Sequence, residues 1–593
     1  MKLINIFFIY TLCLFACLTQ VSAQKSDETI IWKALKDEVR RNMDSLNLKN
    51  GPKTCFISVT LDNINSISIN SELGSLVQSN ENKARSLSYR LLVGSYKLND
   101  ENFMGLNNNP TPHLDPEALP IDNDYNGIRR TFWAVLDNSY RTATKNYLEK
   151  IESLKKKESE GTSIELPDFS EAPAVVSKEV PMVLIQSRDS LEKLASELSA
   201  EFYKFPSLFN SAVQINQLLV NVYFVNSEGT EVKSQIPFIK LTFHAGVFDE
   251  FGSAINDGMQ YYAKDIHGLP AVKQIRADIQ SLAHYLLSIE KAPHFDENYS
   301  GPVLLVGQPS MRSYMKALFN SENSLIAFRE DLVSAGQSQL YYSRNRNALE
   351  TKLGKMIAPK TFTIKDVPSA QIFQNISLLG GYKIDAEGVV VPDTLILVEN
   401  GVLRNLMGSR TPTKNVPNSN GHRRFNISQG GTTEQVAPGN IFISSTEGQS
   451  MESLKQKLID QAKELGLDYA FIIRPIIESD AMVPEEIIKI NVENGNEERV
   501  RAIYQPDMGN VSFRDLANCS KKVKAFNLLY NGNYMDAMNS ARMSSSGSIA
   551  GIPMSIVSPE AVLITKGKIT TDKKQISGNK PEVPNPLEEM PKK

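Results

Sequence analysis

The chain has 593 residues with 64 basic and 67 acidic side chains, a net charge of −3 and 41% hydrophobic residues. That length supports two or more domains with buried cores, and the near-neutral charge leaves no electrostatic footprint for nucleic acid. Four cysteines in so long a chain exclude a disulfide-stapled scaffold.

Residues 1–23 read as an export signal: Lys2, an apolar run from Ile4 to Leu18, and the small-residue site Val21-Ser22-Ala23, with cleavage expected after Ala23. Leu14-Phe15-Ala16-Cys17 loosely resembles a lipobox, but Phe15 fits it poorly, so a lipid on Cys17 is the lesser reading. No later stretch reaches the roughly 18 uninterrupted apolar residues of a membrane helix. The expected mature chain is soluble, periplasmic or secreted, with Cys55 and Cys519 read as buried thiols ahead of the alternative of one disulfide between them.

An amphipathic helix is expected over Glu28–Leu46, apolar at Ile31, Leu35, Val39 and Met43. Strand-like runs follow at Cys55–Leu61, Ser66–Ile69 and Ser86–Leu98, and a long helix from Asp122 to about Lys157. Ser159–Val180 reads as an exposed loop and Ser190–Phe202 as a helix. Gln217–Val225 and Thr230 onward form a hairpin about Asn226-Ser227-Glu228-Gly229, with Ile239–Ala245 as a third strand, and an edge of these long hairpin strands would suit an extended peptide. A helix from Ala271 to about Lys291 closes this half.

Tyr299–Asn320 then reads as a buried strand, a sharp turn and a helix. Val303–Val306 is a short apolar run, Gly307 and Pro309 punctuate, and Met311, Tyr314, Met315, Leu318 and Phe319 make one helical stripe. The second half is strand-rich: Thr361–Val367, a hairpin with turns at Asp385–Gly388 and Glu399–Gly401, Ala470–Ile473 with Ile487–Val492, Val511–Cys519, Val523–Tyr530 and Ser544–Ile569, with a helix at Met451–Leu465. Residues beyond Thr570 have almost no apolar content and read as a disordered tail.

Several segments resemble the TldD/PmbA family of zinc metallopeptidases and their partners. These are VYFVNSEGTEV, DIHGLP at Asp265–Pro270, GPVLLVG at Gly301–Gly307, IDAEGVVVPDTLILVENGVL, and the Gly421-His422-Arg423-Arg424 loop. The resemblance implies a mixed α+β fold of two domains: a helix-and-hairpin half over 24–297 and a strand-rich half over 298–570, followed by the tail 571–593. It also implies that the helix after GPVLLVG carries HExxxH in catalytic members, with a cysteine before a late Gly-x-Pro turn as third zinc ligand. Here Met315 and Lys316 occupy the His-Glu positions, Asn320 the second His, and Ser545 the cysteine. Thioether, ammonium, amide and hydroxyl groups cannot replace that zinc set, so neither a metal cofactor nor a catalytic residue is assigned.

Other chemistries fare worse. His284, His294, Asp296 and Glu297 match no metal-ligand spacing, and His244 reads as a hydrogen-bonded core residue. The Ser313/Lys316 pair repeats as Ser153/Lys156 and Ser190/Lys193 without companion motifs. The expectation is therefore a non-catalytic family member that pairs with a homologous TldD-like subunit, or with itself, and holds extended or unfolded peptides. Gly421, Arg423, Arg424, Asn440 and Phe442 are the candidate peptide contacts, although Arg423 and Arg424 could equally pair with Asp385 or Glu387. The alternative is an active peptidase with a rearranged metal site or a Ser313/Lys316 nucleophile.

Overall fold

The structure is a computed structural model. It describes residues 28–46, 51–105, 117–159, 166–178, 180, 185–320, 324–329, 331–333, 348–505, 513–531, 549–571, 581–583 and 585–587. The fold is mixed α+β, rich in strands and sparing in helices.

The first half is built on a seven-stranded sheet. Its long antiparallel strands are β1 (Thr54–Glu72), β2 (Ser75–Val93), β3 (Phe209–Asn226), β4 (Glu231–Phe248) and β5 (Ala254–Ala263), adjacent in the order β2-β1-β3-β4-β5. Alternation of side chains decides what covers each face. Odd-numbered residues of β1 turn toward helices: Ile57, Val59 and Leu61 pack with α1 (28–45) and α2 (Tyr125–Ser159), and Ile67 and Ile69 with α3 (Arg188–Ser199) and α4 (Val272–Ile289). Even-numbered residues face the second half. Ile64, Leu218, Val220, Val222 and Phe238 share a core there with Leu379, Phe425, Ile427 and Leu529.

This arrangement corrects several expectations. Cys55–Leu61 and Ser66–Ile69 are one continuous strand, and Ser86–Leu98 is the end of its hairpin partner; the polar residues Asp62, Asn63 and Asn65 between the first two continue the ladder and do not form a turn. Ile239–Ala245 is likewise part of β4 rather than a separate strand. β3 is paired along both edges and β4 over Glu231–Val232 and Ile239–Phe248 as well as along β3, so most of the docking edge expected on that hairpin is taken up. Ser159–Val180 is not simply exposed, because Asp168, Phe169 and Ser170 are buried.

The second half contains an eight-stranded and a six-stranded sheet. The six-stranded sheet is centred on β6 (Tyr299–Val306), the expected buried strand, and the helix α5 (Gln308–Leu318) follows it directly. Strands β7 (Phe362–Asp366), β8 (Leu395–Glu399), β9 (Arg423–Ser428), β10 (Gly431–Val436) and β11 (Asn440–Ser445) belong to the larger sheet. The helix α6 (Met451–Glu464) covers the smaller sheet, packing Leu454 and Leu458 on Leu304, Ile472 and Leu563. The strands β12 (Tyr469–Pro475) and β13 (Glu485–Asn491) pair as expected, and β14 (Val523–Tyr530) pairs with β15 (Ala550–Pro559), which β16 (Ala561–Thr571) follows. Within Val511–Cys519 the described part is a short 3-10 turn, Phe513–Leu516, not a strand. Most of the tail, like the signal segment, lies outside the described residues, but Asn585 in it donates to the Pro206 carbonyl at 3.0 Å.

Candidate functional site

The turn into α5 is sharp because Gly307 sits at φ +71°, a left-handed conformation that costs a side chain dearly. The Gly307 N–H donates to the Glu560 carbonyl at 2.7 Å, and Ser310 Oγ to the Pro559 carbonyl at 2.9 Å, tying the helix start to β15 and its turn. Its apolar stripe is then driven inward. Met311, Tyr314, Met315 and Leu318 are all within 2% of full burial, in one core with Phe362, Ile443, Phe471, Phe513 and Met554.

Met315 is therefore a core residue, whereas Lys316 and Asn320 are half-buried, and the Asn320 amide donates to the Lys316 carbonyl at 2.9 Å as a helix-end cap. Ser545 lies outside the described residues. Ser313 Oγ donates to the Pro309 carbonyl one turn back. Among the described residues no three His, Cys, Asp or Glu side chains are grouped as a metal ion would require. Cys55 and Cys519 are both free, and burial pushes the thiols up, that of Cys55 to about 12. His244 is half-buried, and burial lowers its pKa.

The expected peptide contacts cluster differently. Gly421 is buried and its carbonyl accepts from Tyr382 at 2.8 Å. The neighbouring His422 is fully buried, its Nε2 2.9 Å from Asp366 Oδ2. Arg424 is buried, lies 4.1 Å over the Tyr382 ring, and donates to the carbonyls of Pro438 and Pro553. Asn440 is also buried; its amide donates to the Ala370 carbonyl at 2.9 Å and its oxygen accepts from Gly380. Phe442 is half-buried against Phe373. Arg423 pairs not with Asp385 or Glu387 but with Glu434, at 3.7 Å, while its backbone N–H donates to Asp385.

The charged groups that join the two halves form a separate cluster. Arg410 is completely buried, donates to both Glu228 oxygens at 2.6 and 2.7 Å and to the Ser170 carbonyl, and lies 4.2 Å over the Phe169 ring. Glu387 accepts from the Arg410 backbone at 2.7 Å and from Arg90 at 2.6 Å, and Arg90 also binds Glu101. Nearby, Asp62 accepts from the Thr432 N–H and hydroxyl at 2.7 and 2.8 Å. Burial pushes Asp62 up to about 6 and Glu434 up to about 7. A lone arginine in GSRTPTK carries no sequence signal for this role; its partners lie 182 and 240 residues away.

Residues 314–467 match the family model described as the PmbA/TldA metallopeptidase C-terminal domain. Over those residues the chain is similar to the TldD/PmbA family. The TldD/PmbA resemblance read from GPVLLVG onward is thus supported over the helix, hairpin and loop segments that the matched residues contain. Two solved structures agree in fold. A protein from Thermotoga maritima described as a candidate modulator of a DNA gyrase is 14% identical, with a TM-score of 0.50, covering 87% of this chain and 96% of that one. A protein similarly described from Bacteroides thetaiotaomicron is 11% identical, with a TM-score of 0.50, covering 90% and 98%. TldE from Thermococcus kodakarensis is 11% identical with a TM-score of 0.48, covering 91% and 100%. A sequence search of curated proteins finds no match.

Proposed function

We propose that this chain is an exported, non-catalytic member of the TldD/PmbA family that completes a dimer with a homologous catalytic subunit, or with itself, and helps hold extended peptides for proteolysis. The observation that carries the reading is the state of α5. Where catalytic relatives present HExxxH, this helix has Met315, Lys316 and Asn320, and Met315 is 2% exposed inside an apolar core. Neither a buried thioether nor a lysine can activate water as a zinc ligand set and its general base do. Residues 1–23 support export to the periplasm or beyond.

The test is elemental analysis of the purified chain, alone and after co-expression with a catalytic homologue. The chain alone is expected to hold no stoichiometric zinc and to release no peptide fragments, while the pair hydrolyses unfolded peptide. One tightly held zinc per chain, whose removal by chelator abolishes hydrolysis, overturns the reading. N-terminal sequencing of exported protein is expected to start at Gln24.

A further inference from the structure

The even-numbered face of the first sheet is apolar where it meets the second half, but becomes polar further along β3 and β4. One cross-strand row runs Asn80, Ser68, Asn216, Lys240 and Tyr262 in direct register. The next includes Gln214, Thr242 and Gln260. Asn80 is exposed and Ser68 half-buried, whereas Asn216 is 1% and Lys240 4% exposed, so the row leads from solvent into the interior.

Three donors occupy neighbouring register positions toward its inner end. Ser68 Oγ donates to Asn216 Oδ1 at 2.7 Å, which leaves Asn216 Nδ2 buried without a partner. Thr242 Oγ1 is likewise buried and unpartnered, two residues along β4 from Lys240. The Lys240 ammonium has no hydrogen bond or ion pair among the described residues; burial alone lowers its pKa, and no carboxylate raises it. Lys264, beyond Tyr262 on the same face, donates to Gln371 at 3.0 Å, so the neighbourhood adds positive charge.

Keeping an uncompensated ammonium beside two idle donors is unfavourable unless something supplies the countercharge. We infer that Asn216, Lys240 and Thr242 form a binding site for a carboxylate of a peptide ligand, the ammonium neutralising the charge and the amide and hydroxyl fixing the oxygens. One cation with two neutral donors matches a monoanion, whereas phosphate sites recruit guanidinium forks or several cations. Tyr262 packs both on the edge of the second half's core and on the seam between the halves, placing the site at the junction of the two. The inference rests on the peptide-holding reading above and adds what end or side chain of the peptide is read.

Titration calorimetry on the full mature chain with three N-acetylated pentapeptides tests it: penta-alanine with a free C-terminus, its C-terminal amide, and that amide with one central glutamate. The free acid, the glutamate amide, or both are expected to bind at least about tenfold tighter than the plain amide, the ratio a charged hydrogen bond commands. Which of the two binds tells whether a chain end or an acidic side chain is recognised. Lys240→Met, which keeps the length of the side chain, is expected to erase the preference and to raise Tm, since it removes a buried unpaired charge. Lys240→Arg should retain part of the preference. Equal binding of all three peptides, binding by none of them, a preference that survives Lys240→Met, or a lowered Tm in that variant overturns the inference. Zinc found in the chain would sink the non-catalytic reading while leaving a Lys240-dependent carboxylate preference intact, so the two failures are distinguishable.

Discussion

Arg410 shows how a single buried charge ties the halves together. With its guanidinium enclosed by Phe56 and Phe169 and bound to Glu228, Arg410 cannot be removed without stranding that carboxylate. Arg410→Met is expected to cost about 3–5 kcal/mol of stability, read by urea denaturation. Glu434 bears the opposite consequence. Folded, it keeps its proton up to about pH 7; unfolded, only to the ordinary value of 4.5. The folded state binds more protons across that window, so stability falls as pH rises from 4.5 to 7. Glu434→Gln is expected to flatten that part of the stability–pH curve and raise stability at pH 8, measured by urea midpoints across the range.

At the scale of elements, α5 is held by its first turn and its buried stripe. A Cβ on Gly307 would meet the Pro475 ring at 3.1 Å in a left-handed backbone. Gly307→Ala should therefore destabilise by about 1–3 kcal/mol in thermal or chemical melts. Because Met315 is packed rather than presented, rebuilding the family motif as M315H/K316E/N320H places an unpartnered imidazole in the core. The expected outcome is a lowered Tm and no tightly bound zinc by elemental analysis. Stoichiometric zinc in that variant would mean the helix can still turn this position toward a cleft.

Across the whole molecule, the seam combines an apolar core with buried ion pairs and hydrogen bonds to a buried carboxylate. Ile64, Leu218 and Phe238 meet Phe425 and Leu529, while Arg90–Glu387, Arg410–Glu228 and Asp62–Thr432 flank them. Segments from each half also complete the other's core, as Ala481 and Val483 do beside Ile275 and Ile279. Such sharing couples the unfolding of the two halves, and calorimetry is expected to show one transition. Arg90→Ala with Glu387→Ala should loosen the seam and separate it into two.

The strand–turn–helix at Tyr299–Leu318 was legible because its cues are local: an apolar run, a glycine, a proline and a 3.6-residue stripe. The helices over 28–45, Val272–Ile289 and Met451–Glu464 were readable for the same reason. That Met315, Lys316 and Asn320 offer no zinc-ligand set was also written in the chain, since donor chemistry belongs to the residue itself. What needed tertiary structure was the fate of each face of the long hairpins. Polar residues in β1 looked like breaks, yet they serve a sheet whose two faces meet different neighbours, helices on one side and the second half on the other. Lysine in the run Ile236–His244 was visible, but its isolation from any carboxylate depends on strands brought together from positions far apart. Periodicity and donor type are properties of neighbouring residues; burial and countercharge are properties of what the folded chain places around them.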